Sequence, residues 1–259
     1  DPRVLRHTQK WLQAGVFEDD KVHVDEYGTP QGGSISPLLA NIYLHYAFDK
    51  WAAAWQRKEA RGDMLIVRYA DDVVVCFEHR KEAERFLEAM RERLSRFHLE
   101  MNMDKTQLLE FGLKPQKTRQ KRGEKSVDTF DFLGFTHYCG RTRNGQFTVK
   151  RQTARKKMQA KLRDVSKELR RRMHDPVPAV GQWLRRVLQG HYQYYAVPFN
   201  YRKLESFRYY VLHHWKRMLA RRRQRSKDTW ERANHLADRY LPRPRIIHPY
   251  PNERPGVMT

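Results

Sequence analysis

The sequence predicts an α+β chain, an antiparallel sheet with covering helices followed by an all-helical bundle, and three observations carry that expectation. Strand-like runs rich in β-branched and aromatic residues are confined to the stretch between residues 64 and 150. From Thr153 onward apolar residues recur only at helical spacing. Charge divides along the same line. Residues 113–259 hold 36 of the 52 Lys and Arg but 11 of the 30 Asp and Glu, a balance of +25, while residues 1–112 hold 16 basic and 19 acidic residues. Three regions are therefore expected: 1–150 with the sheet, 151–224 as a helical bundle, and 225–259 as a basic, proline-rich tail. A length of 259 residues suits a sizeable core. Asp1 opens the sequence and residues 1–27 show no recognisable start, so an N-terminally incomplete chain is expected.

Taken in order, the turn-rich "EYGTPQGGSISP" precedes a helix start, with Ser36 as the N-cap and Pro37 at the first helical position. Leu38, Leu39, Ile42, Tyr46, Trp51 and Trp55 follow at roughly helical spacing and predict a long, mostly buried helix. "MLIVRYADDVVVCF" predicts two strands joined at Asp71 and Asp72. Ala83, Phe86, Leu87, Met90, Leu94 and Phe97 predict an amphipathic helix that covers a sheet. Thr106–Phe111 predicts a strand, "KPQKTRQKRGEK" a basic loop, and residues 128–149 a hairpin turning at Asn144-Gly145. Three helical stripes come next, Ala154 to Met173, Val180 to Tyr195 and Leu204 to Leu219, punctuated by Pro176, Pro178 and Pro198. "RYLPRPRIIHPYPNERPGVMT" predicts an extended segment, docked or wrapped rather than packed as a domain.

The adjacent carboxylates Asp71 and Asp72 are the first chemical signal. Aspartate is depleted from strands and expensive to bury unless it is paired or holds a metal. "MLIV" and "VVVCF" are too apolar for a hairpin exposed on both faces, so the aspartates stand at the rigid edge of a core. That is what a Mg²⁺ site requires, since Mg²⁺ takes one or two carboxylates plus water and substrate phosphates. Cys76 and Cys139 lie far apart with no CxxC or Cys/His cluster, which points away from zinc and disulfides and towards a reducing compartment. No apolar run approaches a membrane span. A net charge of +22 predicts a polyanionic partner.

"RYADD", "YGTPQGGSISPLLANIYLHYAFDKW", "HLEMNMDKTQLLEFG" and "FDFLGF", followed by "GHYQYYAVPFN", "LARRRQRSKDTW" and "YLPRPRIIHPYP", resemble in order the blocks of the reverse transcriptases encoded by group II introns, also called maturases. The resemblance covers nearly the whole chain. It implies the end of a polymerase palm followed by a thumb and maturase region. It also implies RNA-directed DNA synthesis from deoxynucleoside triphosphates, on an RNA template and a DNA primer, with two Mg²⁺ ions. Intron RNA would be bound to assist splicing, in a bacterial cytoplasm or, second, an organelle. A non-catalytic RNA-binding splicing factor is the alternative, in which the YADD box is a relic.

Carried to this sequence, the resemblance makes Asp71 and Asp72 the metal ligands, with Tyr69 beside the primer end. Gln31, Gly32 and Gly33 would line the incoming nucleotide and template base. Lys105 would either protonate the departing pyrophosphate or be a surface lysine. Leu133 and Gly134 would either grip the primer backbone or serve a core strand. The third metal-binding aspartate of the family belongs to a block expected upstream of residue 1, as does the fingers region. Asp19, Asp20 and Asp25 lack the apolar strand context to replace it. Pro255 stands where the family's ending is usually aromatic. The basic clusters nominate Arg155, Lys156, Lys157, Arg170, Arg171, Arg221, Arg222, Arg223 and Arg225 for RNA phosphates. The interleaved Tyr192, Tyr194, Tyr195, Tyr209 and Tyr210 are either core residues or stacking surfaces for unpaired bases.

Overall fold

The computed structural model describes residues 1–13, 16–18, 21–23, 35–123, 127–222 and 230–250. They form two compact units, Asp1–Leu108 and Leu109–Thr259. The three strands after residue 128 thus fall in the same unit as the helical region.

In the first unit, helix α1 (Pro2–Gln13) is followed by the short antiparallel pair β1 (Val16–Glu18) and β2 (Lys21–His23). Helix α2 (Ser36–Leu44) runs through a π-helical segment, His45–Asp49, into α3 (Lys50–Glu59). Strands β3 (Met64–Tyr69) and β4 (Asp72–Phe77) then make a hairpin, and α4 (Arg80–Ser95) returns across it. Pairing runs from Met64↔Phe77 to Tyr69↔Asp72. A two-stranded hairpin is marginal in water by itself, so its stability must come from what covers it. One face is covered: Met64 with Ile66, Val73, Val75 and Phe77 packs on Phe48, Ala52, Trp55 and Phe86 from the helices. The Phe86 ring sits 5.0 Å from Trp55, 5.1 Å from Trp51 and 5.3 Å from Phe77.

The loop at the far end of this hairpin is tied to the start of α4 by buried Glu82, whose carboxylate accepts the backbone N–H groups of Arg61 (3.1 Å) and Gly62 (3.4 Å). The helix expected to be mostly buried has buried residues only in its second half, at Ala47, Phe48, Ala52 and Trp55. Leu38, Ile42, Tyr43 and Tyr46 are exposed, because the described residues bury no residue of α2, and Ala47 and Phe48 of the π-helical segment are the first to turn inward. The helix also starts at Ser36 itself, after Ile35, which makes Ser36 a helical residue instead of the cap.

The second unit opens with α5 (Leu113–Lys121), where the sequence predicts a loop. Arg119 on this helix pairs with Glu110 (3.0 Å) and Asp128 (3.4 Å), contacts that its composition conceals. The strand expected over Thr106–Phe111 is absent from the described residues: Asp128 accepts the Glu110 N–H at 3.1 Å, so this backbone donor goes to a side chain and not to a ladder. Strands β5 (Phe130–Phe132), β6 (Phe135–Arg141) and β7 (Phe147–Thr153) form an antiparallel sheet in chain order, two hairpins where one is predicted. Gly145 has φ +79 while Asn144 stays at negative φ, so the pair closes a longer loop, Arg141↔Phe147, through a left-handed glycine and not a two-residue I′ turn.

Helices α6 (Arg155–Arg171), α7 (Val177–Tyr195) and α8 (Tyr201–Arg222) match the three predicted stripes. A fourth helix, α9 (Trp230–Tyr240), completes the bundle. Its Ala233, Ala237 and Tyr240 are buried, with half-buried Leu236 beside them, at a helical spacing that was present in the sequence and overlooked. The core is Leu169, Val180, Leu184, Leu188, Leu204, Phe207, Val211 and Trp215 with their neighbours. Gly181 lets α9 approach: a Cβ there would lie 2.5 Å from Cγ of Tyr240. Fully buried Asn200 joins sheet to bundle, accepting the Thr153 N–H and donating to Thr153 Oγ1 and the Tyr195 carbonyl, all at 2.8 Å. After α9 the chain is extended, as expected, and docks through the N–H groups of Ile247 (3.0 Å) and His248 (3.2 Å) on the Ala196 carbonyl.

Candidate active site

The Asp71-Asp72 pair forms at a two-residue turn. Ala70 and Asp71 are the central residues, and Ala70 has φ +52. A non-glycine residue in that region is uncommon and costs about 1 kcal/mol or more, so something must hold it there. Arg68 does so from the covered side of the hairpin. Its guanidinium forks onto Asp49, Nε to Oδ1 at 2.7 Å and Nη2 to Oδ2 at 2.6 Å, while Nη1 donates to the Ala70 carbonyl and to Asn41 Oδ1, each at 2.8 Å. Four charge-assisted bonds from one planar group define its position in three directions. The side chain is mostly buried, and the Asp49 pKa is lowered, first by its hydrogen bond from Arg68.

Asp49 reaches Arg68 because it closes the π-helical segment, in which the Lys50 N–H bonds to the His45 carbonyl. Widening a helix loosens nearby carbonyls, and Arg93 of α4 takes two of them, Tyr46 at 3.1 Å and Ala47 at 3.0 Å. Arg68, Asp49, Asn41 and Arg93 form a polar support that sequence reasoning missed. The only hint was "RYADD" itself, where an arginine occupies the inward-facing register of an apolar strand.

Asp71 and Asp72 are exposed, and Tyr69, 65% exposed, pairs with Asp72 across the ladder so that both side chains leave the same face. The turn therefore presents two carboxylates and a phenol to solvent while its backbone is fixed from behind. Hard carboxylate oxygens fit Mg²⁺, and they are two of the three carboxylates that the resemblance implies. Among the described residues no group of three or more His, Cys, Asp or Glu gathers into a cation site.

The other nominated residues are not all brought together. Lys105 is exposed in a turn capped by Asn102, whose carbonyl accepts its N–H at 3.2 Å, and among the described residues no ion pair joins Lys105 to Asp71 or Asp72. Gln31, Gly32, Gly33, Asp19, Asp20, Asp25, Arg223, Arg225 and Pro255 lie outside the described residues. Leu133 and Gly134 form the two-residue turn between β5 and β6, with φ +48 and +76, the signs of a type I′ turn. Tyr194 of α7 donates to the Leu133 carbonyl at 2.8 Å and the Ala154 N–H to the Gly134 carbonyl at 2.9 Å.

Arg155, Lys156, Lys157, Arg170 and Arg171 are exposed on α6, although Arg171 is also bonded to Glu168 at 2.7 Å. The arginines around Glu168 hold its carboxyl at about 2. Arg221 is exposed on α8. Arg222 turns inward and donates to the Asp175 carbonyl at 2.7 Å, a capping task its charge alone did not reveal. Of the nominated tyrosines, Tyr192 is buried and Tyr195 half-buried, whereas Tyr194, Tyr209 and Tyr210 are exposed. Among the described residues no helix is long and apolar enough to cross a membrane.

A family model described as reverse transcriptase (RNA-dependent DNA polymerase) matches residues 3–137, just over half of the chain. This chain belongs to that family. It is similar to the group II intron-encoded protein LtrA of Lactococcus lactis subsp. cremoris, 51% identical over 45 residues, 17% of this chain and 8% of that protein. An uncharacterized 91 kDa protein in a cob intron of Schizosaccharomyces pombe is 47% identical over 45 residues, 17% of this chain and 6% of its own. Protein YkfC of Escherichia coli K12 is 29% identical over 181 residues, 58% of this chain and 42% of its own. The matches thus span less than half the length of these relatives. Within the family, the resemblance to group II intron reverse transcriptases is supported by these short, close similarities to intron-encoded proteins.

Proposed function

We propose that this chain is the part of a group II intron reverse transcriptase that carries the Asp-Asp turn and an RNA-binding helical unit. In this reading it takes part in joining deoxynucleoside triphosphates to a DNA primer on an RNA template, and binds its intron RNA to assist splicing. The observation that supports it most is the Asp71-Asp72 turn, open to solvent yet fixed through Arg68. Asp71 and Asp72 would hold Mg²⁺, with the third carboxylate coming from the segment that the resemblance places ahead of Asp1. When bound, the metal supplies positive charge to the attacking and departing oxygens of phosphoryl transfer. Arg68 keeps the turn in register, Tyr69 flanks the primer end on the face of Asp72, and Lys105 gives a proton to the departing pyrophosphate. The Leu133-Gly134 turn supports the primer backbone. The cations of α6 bind RNA phosphates, which fixes position without reading sequence.

A purely RNA-binding role in splicing is the second reading, favoured by the exposed cations of α6. Mg²⁺-dependent extension of a DNA primer on an RNA template separates the two. The expected result is no extension by the 259-residue chain alone. Extension is expected once the upstream segment is present, and it should vanish with Asp71→Ala while RNA binding persists. Extension that survives Asp71→Ala would overturn the polymerase assignment.

A further inference from the structure

Helix α8 buries Leu204, Phe207, Val211, Leu212, Trp215, Met218 and Leu219 on one side. An amphipathic helix normally sets charged and polar residues on the other. Here the outer side carries Tyr209 (52% exposed) and Tyr210 (45%), and the start of α9 adds Trp230 (42%). Tyr209, His213 and Lys216 follow at i, i+4 and i+7, one line along α8. Trp230 lies alongside that line. Its ring is within 11° of parallel to Tyr209, with centroids 6.2 Å apart, and His213 lies 6.3 Å from Tyr209 and 6.1 Å from Trp230. Tyr209 and Trp230 are thus stacked with an offset, and each ring still keeps about half of its surface open to solvent. Lys216 Nζ stands 4.5 Å from the Trp230 ring centre.

A packing role does not account for rings that are half in water, and the surrounding charge selects the partner. Helix α8 has seven Lys and Arg against a single acid, Glu205. Of the seven, Arg208 and Arg222 are used on internal carbonyls, at 3.2 Å to Leu241 and 2.7 Å to Asp175. Flat π-faces beside a cation complement a planar base attached to a phosphate, and paired bases keep their faces inside the duplex. We infer that Tyr209, His213 and Trp230, together with Lys216, form a stacking platform for unpaired bases of single-stranded RNA. The inference rests on the proposed function, which makes RNA the partner, and adds where and by which chemistry its unpaired segments are held.

The test measures binding of the 259-residue chain to three probes of one sequence: a fluorescein-labelled 12-nucleotide single-stranded RNA, the same sequence as DNA, and the RNA duplex. Stacking on one ring is worth roughly 5- to 150-fold in affinity per base. Tyr209→Ala with Trp230→Ala should therefore weaken single-stranded RNA at least about tenfold and leave the duplex and the salt slope unchanged. Tyr209→Phe with Trp230→Phe should restore binding, since the rings are kept. With 4-thiouridine in the RNA, photocrosslinks should map to Tyr209 or Trp230. Unchanged affinity in the alanine variant, or equal loss on the duplex, would overturn the platform. DNA bound and lost in parallel with RNA would overturn the assignment to RNA. Failure of the unmodified chain to bind any probe would overturn the proposed function, and the platform with it.

Discussion

Among the described residues two β-hairpin turns hold a non-glycine residue at positive φ, Ala70 at +52 and Leu133 at +48, and each unit holds its own differently. The first is supported by charge. Arg68 grips Asp49 with one edge and the Ala70 carbonyl with another, so the turn keeps its shape while Asp71 and Asp72 point to water. The second is supported by packing and a neutral hydrogen bond from α7: Tyr194 donates to the Leu133 carbonyl and the Tyr195 hydroxyl lies against Gly134. The difference teaches where each turn can change. A turn that displays carboxylates cannot be covered, so its support must come through the strand from behind. A turn that displays no charged side chain can be clamped from above.

The sharpest way to break this comparison is at the exposed acids. Asp71→Asn should lower primer extension by the complete polymerase about 1,000-fold, read as kcat, because a hard anionic ligand is lost, with no loss of thermal stability. Arg68→Ala comes next. Groups that orient metal ligands change activity by about 10- to 100-fold, and the expected signature is a raised Mg²⁺ requirement, partly rescued by Arg68→Lys. In the other turn, Gly134→Ala should destabilise the second unit by about 2 kcal/mol in denaturant titrations. It strains φ +76 and pushes a Cβ to 2.9 Å from the Tyr195 hydroxyl. Tyr194→Phe removes one neutral bond to Leu133 and should cost about 1 kcal/mol in the same assay.

Acid gives the smallest effect and separates the supports by chemistry. The folded pKa of Asp49 lies below its ordinary 3.8 because of Arg68, so the stability it contributes is complete above that value and fades as pH falls through the folded value. Melting temperatures of the protein and of Asp49→Asn should therefore converge below about pH 4. The Tyr194 bond carries no charge and should not take part in that convergence.

Much of this could be read from the sequence, for physical reasons that differ by element. The hairpin over 64–77 was readable because two runs of apolar and β-branched residues are local features and the two acids interrupt them. The bundle stripes were readable because period 3.6 persists over many turns. Asp49 and Arg68 were not, since they stand 19 residues apart and meet only through a π-helical segment with no compositional mark. Helix α5 was hidden by its own basic residues, one of which, Arg119, finds acids on both sides in space. The Leu133-Gly134 pair was singled out by resemblance, but its turn geometry was not, because leucine is a poor sign of positive φ.

The π-helical segment also bears on how this chain tolerates insertion and deletion. Its wider turn inserts a local phase slip between α2, none of whose residues is buried, and α3, whose Ala52 and Trp55 cover the hairpin. Deleting one residue from His45–Asp49 would let the whole run anneal into a continuous α-helix without interrupting it. The cost would fall elsewhere: one half would rotate by about 100° relative to the other, carrying Asp49 away from Arg68 or Phe48 out of its core. In that stretch, the length of the chain matters as much as its letters.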